Sequence, residues 1–231
     1  MDRVLARLKS LASPEAVAGM ARFGIRPENI LGISMPTLRS LAREVGKGGQ
    51  QPANHQLALG LWESGIHEAR ILASMVDVPG LVTEEQMESW VKDFDSWDVC
   101  DQVCGNLFDR TPFAYRKAVE WSERSEEFVK RAGFVMMAGL ALHDKRAADA
   151  ALEVFFPCIL QESTDDRNFV KKAVNWALRG IGKRSRRLNQ RAIETARQIA
   201  GIDSKTAHWI ASDALRELTS EKVQSRFTVP D

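Results

Sequence analysis

The chain has no apolar run long enough to cross a bilayer. Its longest, Gly133 to Leu142, is about half of the roughly 20 residues a spanning helix needs. Three cysteines make no disulfide framework. Cys100 and Cys104 stand one helical turn apart, but no second Cys or His pair lies near them in sequence, so they read as small buried residues rather than as zinc ligands. Ligand spacing for a metallohydrolase is missing elsewhere too. Strand-like alternation is scarce, which argues against sheet architectures. No linker composition divides the chain, so one domain over residues 1–231 is expected. The first residues place Val4, Leu5, Leu8 and Leu11 at amphipathic spacing instead of forming a cleaved leader. A cytoplasmic, monomeric protein without membrane contact is the expectation.

What is present is ordinary globular composition, 44% apolar and 27% charged, with a net charge of only +1. That small number hides a strong asymmetry. Lys171, Lys172, Arg179, Lys183, Arg184, Arg186, Arg187, Arg191 and Arg197 share one segment with a single acid, Glu194. The segment carries +8 and the remainder −7. A surface turned toward a polyanion would produce this pattern, and so would a solvated helical face.

Apolar residues recur at three- and four-residue spacing almost throughout, which predicts an all-helical chain. Ser13-Pro14-Glu15 starts a short second helix. Ser34 is placed to cap a helix running to about Val45. Gly46 to Pro52 reads as a loop, and further helices are expected near 54–63, 67–76 and 83–93. Glu127-Phe128-Val129-Lys130-Arg131-Ala132 resembles Asn168-Phe169-Val170-Lys171-Lys172-Ala173, about 41 positions later. Ala207-His208-Trp209 sits at a similar helix start further on, and Glu68-Ala69-Arg70 looks like an earlier member. A period near forty built of paired helices predicts HEAT-like or armadillo-like units, antiparallel helix pairs stacked into a curved solenoid with a concave binding face. Arg70, Arg131, Lys172 and His208 fall at the helix starts expected to line that face, and Trp97, Asp101 and Trp176 could join them. Trp62, Trp90, Trp121 and Trp209 are expected to pack between helices.

The most unusual stretch is Phe94-Asp95-Ser96-Trp97-Asp98-Val99-Cys100-Asp101. In a helix, Trp97 and Asp101 stack on one face, and an aromatic plate beside a carboxylate suits a cation or a cationic transition state. The bland alternative is a helix capped by Ser96 or Asp95 with solvated acids. Asp98 lies about 100° around the helix from Trp97, where it would hold a neighbouring backbone or basic group.

Taken with Gly32 to Arg39, Lys130-Arg131-Ala132 and Lys171 to Arg179, this stretch resembles the AlkD-like proteins, the HEAT-like glycosylases of the DNA alkylation-repair family. The resemblance covers nearly the whole chain. It implies release of purines alkylated at N3 or N7 from double-stranded DNA, without metal or organic cofactor. It also implies that Asp101 is the catalytic carboxylate, Trp97 and Trp176 the aromatic contacts to the lesion's sugar and backbone, and Arg131 a supporting residue on the phosphate side. Lys171, Lys172, Arg179, Lys183, Arg184, Arg186, Arg187 and Arg191 would bind DNA phosphates. Such cationic purines are good leaving groups already, so the demand falls on the positive charge growing on the deoxyribose, which a fixed carboxylate answers. Helical repeats often scaffold without catalysing. A non-catalytic module binding DNA or a protein is therefore the alternative.

Overall fold

The helical periodicity is realised throughout. A computed structural model describes residues 1–25, 28–46 and 51–227, and among these there is no strand. The chain forms two compact units, Met1–Phe113 and Ala114–Asp231. In the first unit the helices are α1 (Asp2–Ser10), α2 (Pro14–Met20), α3 (Met35–Gly46), α4 (Gln51–Glu63), α5 (His67–Val76), α6 (Glu84–Lys92) and α7 (Trp97–Asn106). In the second they are α8 (Ala114–Ser122), α9 (Glu127–His143), α10 (Asp149–Glu153), α11 (Phe156–Gln161), α12 (Asn168–Gly182), α13 (Arg186–Ala200), α14 (Lys205–Leu218) and α15 (Glu221–Gln224). Successive long helices pack directly on one another in the pairs α4–α5, α8–α9, α12–α13 and α13–α14. The anticipated repeat starts fall at the beginnings of α5, α9, α12 and α14. Most of the loop expected at Gly46–Pro52 lies outside the described residues, although Gly46 still belongs to α3 and Pro52 already to α4.

Small polar residues start the helices where the sequence places them. Ser13, Ser34, Thr83, Ser185 and Ser204 each accept a backbone N–H from three residues ahead, satisfying donors that a first turn leaves open. Ser96 is the exception. It holds the extended N-cap backbone of α7, but its side chain makes no capping bond, and its buried Oγ has no hydrogen-bond partner among the described residues.

In the first unit α5 packs against α3, α4 and α7, with Ala69, Ile71, Leu72 and Ala73 fully or almost fully buried. Beside it Trp62 and Trp90 stack with ring centres 4.0 Å apart and planes 3° from parallel, and Phe94 and Phe108 complete the cluster. In the second unit α9 is the central element, buried on every side from Val129 to Ala141 and covered by α8 and α12. A helix apolar all round belongs in a core. The approach of α8 is close enough to require Gly133, because a Cβ there would lie 2.5 Å from the Ser122 amide nitrogen and 2.8 Å from the Ala118 carbonyl. Trp62, Trp90 and Trp121 pack between helices as expected. Trp209 does not: it is 42% exposed, and the Lys171 ammonium lies 5.8 Å from its ring centre. It occupies an outward position of α14, whose inward row is Ala207, Ile210, Ala211 and Ala214.

Candidate functional site

Each unit has a place where a tryptophan lines a cavity together with polar side chains. The first is the start of α7. Val99, Cys100, Val103 and Cys104 are fully buried and fix which side of the helix faces the core. This leaves Trp97, Asp98, Asp101 and Gln102 half-buried on the remaining side. Trp97 and Asp101 are one turn apart, as are Asp98 and Gln102. The Trp97 indole N–H donates to the Phe23 carbonyl at 2.9 Å, so the ring is held in one orientation by the segment that follows α2. Burial pushes the Cys104 thiol well above its usual range, with the Cys100 hydrogen bond and the nearby Asp101 and Asp109 charges acting in the same direction. The Cys104 thiol therefore stays protonated at neutral pH, and both cysteines form part of the core.

Asp98 is committed to a basic group. Its Oδ2 lies 2.8 Å from His67 Nε2, on an imidazole that is fully buried at the first position of α5. A carboxylate at that distance accepts the Nε2 proton. Neither Asp98 Oδ1 nor His67 Nδ1, both buried, has a hydrogen-bond partner among the described residues. Next to His67, the buried Glu68 accepts backbone N–H groups from Leu31 (2.9 Å), Gly32 (2.6 Å) and Ile33 (3.1 Å). That clamp shapes the loop before α3. Gly32 meets its demand for a left-handed backbone, with φ +77°, and leaves no room for a Cβ, which would lie 2.4 Å from the Ser13 carbonyl oxygen. The clamped loop, α2, α5 and α7 enclose a cavity of about 320 Å³ with His67, Trp97, Asp98 and Gln102 in its wall.

The second place lies in the second unit. Trp176 on α12 is 39% exposed and lines a cavity of about 420 Å³ together with Lys145, Lys183, Arg184 and Arg226. Arg131 is only 6% exposed. Its guanidinium donates to the Phe169 carbonyl at 2.6 Å, linking α9 to the first turn of α12.

The basic segment is largely compensated within its own unit. Arg179 pairs with Glu217 (2.9 Å) and Asp213 (3.2 Å), and Lys183 with Glu217 (2.8 Å). Arg187 pairs with Glu153 (2.7 Å) and Arg191 with Glu194 (3.3 Å). Arg184 donates to the carbonyls of Ala141 and Asp144, and Arg186 to that of Phe227. Among the described residues no carboxylate pairs with Lys171 or with the exposed Lys172.

Sequence reasoning passed over His67, Gln102, Lys145 and Arg226. His67 served only to mark a helix start, and its partner is 31 residues away. Lys145 and Arg226 lie outside the run of bases, and only folding brings them to Trp176. Asp98, by contrast, holds a basic group as its position relative to Trp97 suggested.

Residues 4–218 match the family model described as DNA alkylation repair enzyme, and the chain belongs to that family. Its function lies in DNA repair. Among solved structures it is similar to a member of a family of proteins related to the HEAT-like repeat DNA glycosylases with affinity for branched DNA structures. That likeness has 16% identity, coverage of 94% of each chain and a TM-score of 0.74. It is also similar to a predicted DNA alkylation repair enzyme from Enterococcus faecalis, with 15% identity, coverage of 91% of this chain and 97% of the other, and a TM-score of 0.68. At these identities the likeness establishes the fold, HEAT-like helical repeats. No curated protein matches the chain. Among the described residues no helix is long and apolar enough to cross a membrane.

Proposed function

We propose that the protein is a DNA N-glycosylase that hydrolyses the N-glycosidic bond of cationic N3- or N7-alkylated purines in duplex DNA. Membership of the alkylation-repair family supports the setting. The observation that carries the chemistry is the position of Asp101 on α7, half-buried and one helical turn from Trp97. A carboxylate fixed on a helix stabilises the oxocarbenium character that develops as the bond breaks, or orients the attacking water. The alkylated purine leaves without needing a strong acid. Trp97 supplies a water-excluding face favourable to positive charge, and Trp176 a second aromatic contact, to the lesion's sugar and backbone. Arg131 supports the phosphate side through its hold on Phe169. Lys171 and Lys172, with the bases around Trp176, neutralise phosphates and set register. Neither metal nor organic cofactor enters this reaction.

The test is to incubate the purified protein with methylated duplex DNA in the presence of EDTA and to measure free base. Release of N7-methylguanine or N3-methyladenine by the wild type, lost in Asp101→Asn, is the expected result. The second reading, DNA binding without cleavage, draws on the structural relative whose family has affinity for branched DNA. Tight binding to a four-way junction with no base released from any methylated substrate would establish that reading instead.

A further inference from the structure

Helices α12 and α14 pack side by side and run in the same direction, and the residues that meet across them are offset by 38 positions. Their contacts form a ladder. Asn175 donates to Asp213 Oδ2 at 2.7 Å. One turn on, the Arg179 guanidinium lies 2.9 Å from Glu217 and 3.2 Å from Asp213. Beyond it the Lys183 ammonium donates to Glu217 Oε1 at 2.8 Å. Each of these rungs sets a donor from α12, or from its C-cap Lys183, against a carboxylate on α14. The first rung departs from the pattern. Lys171 stands opposite Trp209, and its ammonium lies 5.8 Å from the indole ring centre. A ring face attracts a cation but cancels none of its charge. Among the described residues no carboxylate pairs with Lys171, with Lys172 or with Lys205 at the start of α14. The indole, 42% exposed, also forgoes much of the stabilisation that burial would bring. A carboxylate would complete the ladder, so the fold does not ask for tryptophan here. Both helix starts are held in place: Arg131 donates to the Phe169 carbonyl, and Ser204 caps α14.

We propose that Trp209 and Lys171 form a platform for an unpaired DNA nucleotide. The base stacks on the indole, and its phosphates are held by Lys171, Lys172 and Lys205. An open aromatic face among uncompensated ammonium groups fits a ligand that is flat, apolar on its faces and anionic at its edge. A nucleotide combines these properties, and every base has a face to stack. In continuous duplex those faces are covered by neighbouring bases. Only a base in a single strand, at a gap or at a branch can offer one. An acidic peptide would engage the lysines and leave the indole without a use. The proposal rests on the DNA-repair reading for its choice of polyanion, and it is independent of Asp101 and of bond cleavage.

The experiment is fluorescence anisotropy of a labelled oligothymidylate strand, and of a blunt duplex of equal length, with the full chain over a range of salt. Trp209→Ala should weaken binding of the strand about tenfold, the scale of one lost base–aromatic stack, and change duplex binding less than about twofold. Its salt slope should match the wild type, because stacking releases no counterions. Lys171→Ala should instead lower that slope by about one. Trp209→Glu completes the ladder by pairing with Lys171. It should keep or raise the thermal transition and weaken strand binding at least as much as Trp209→Ala. A wild type that binds no oligothymidylate, or a Trp209→Ala that binds it normally, overturns the proposal. So does an equal loss on strand and duplex, which would make the indole a general backbone contact. If the strand is bound through Trp209 but no base is released from methylated duplex, the glycosylase reading fails and the platform stands. If base is released and Trp209→Ala binds the strand normally, the platform fails alone.

Discussion

The two units solve opposite electrostatic problems with the same kind of aromatic residue. The first holds 11 Lys and Arg against 15 Asp and Glu, a formal charge of −4, and the second holds 21 against 16, a charge of +5. Around Trp97 the charged groups are carboxylates: Asp98 and Asp101. Around Trp176 they are donors: Lys145, Lys183, Arg184 and Arg226. Acceptors beside an indole suit developing positive charge and base N–H groups. Cations beside an indole suit phosphates and sugars. The difference teaches that the near-zero total charge is the sum of two specialised surfaces and says little about affinity for DNA.

The sharpest way to break this comparison is to remove charge from the first unit. Asp101→Asn keeps the shape of α7 and deletes the negative charge opposite the forming cation. Loss of one preorganised electrostatic contact commonly reduces rate by on the order of a hundredfold or more, and that is the expected drop in single-turnover excision of N7-methylguanine. Duplex binding should be retained. Asp98→Asn should remain within about tenfold of wild type, the scale of one net hydrogen bond. Should Asp98→Asn abolish excision while Asp101→Asn is normal, the carboxylate assignments are reversed.

The next effect is on stability and belongs to Glu68. Its carboxylate holds three amides of the loop that walls the first unit's cavity. Glu68→Gln turns an acceptor into an NH₂ group facing other donors. Hydrogen bonds to a buried charge are each worth about 1.5–3 kcal/mol, so a loss of about 3 kcal/mol in urea unfolding is expected. A loss below about 0.5 kcal/mol would mean the loop is held by other contacts, such as the Leu31 carbonyl accepting the Ser13 amide at 2.7 Å.

The second unit is probed by salt dependence. Each lost phosphate contact reduces the slope of log affinity against log salt by about one. Lys172→Ala combined with Lys145→Ala should therefore flatten it by about two. Arg187→Ala combined with Arg191→Ala should leave it almost unchanged, because Glu153 and Glu194 already neutralise these side chains. The reverse pattern would show that those ion pairs open on DNA and that the run of bases acts as its composition suggests.

These contrasts also mark what the sequence could reveal. Helical periodicity made α5 legible to the residue: the helix expected over 67–76 is the one the structure holds, His67–Val76. The Trp97–Asp101 pair was legible because a helix turn is a local rule. The basic run from Lys171 to Arg197 was legible as charge but not as surface. Its carboxylate partners Asp213, Glu217 and Glu153 come from other helices, and composition in one segment carries no information about them. Trp209 was misplaced for a related reason: indoles look alike in sequence, and only the packing of α14 decides which row faces out. The His67–Asp98 contact needs coordinates, since the two residues meet across 31 residues of chain.

The smallest effect expected is an alkaline one, confined to the second unit. The chain has a single tyrosine, Tyr115, which stacks on Phe155 with ring centres 5.8 Å apart and donates its hydroxyl to Asp144 Oδ2 at 3.0 Å. Burial, and then the hydrogen bond and charge of Asp144, push its pKa up to about 12 from 10. The folded state thus binds the phenolic proton more tightly than the unfolded chain does. The resulting stabilisation is fully present below pH 10 and is lost as pH rises toward 12. Asp144 also accepts the amides of Arg146 and Ala147, so ionising the phenol would set two negative groups against each other beside that turn. Tyr115→Phe keeps the stacked ring and removes the ionisation. Its stability should be slightly below wild type at pH 8, and the difference should vanish or reverse above pH 11 in parallel urea titrations. Lysines titrating in the same window act equally on both proteins and cancel in the difference. A difference that stays constant from pH 8 to pH 12 would show that the hydroxyl contributes through shape alone, and that the Tyr115–Asp144 contact carries no proton linkage.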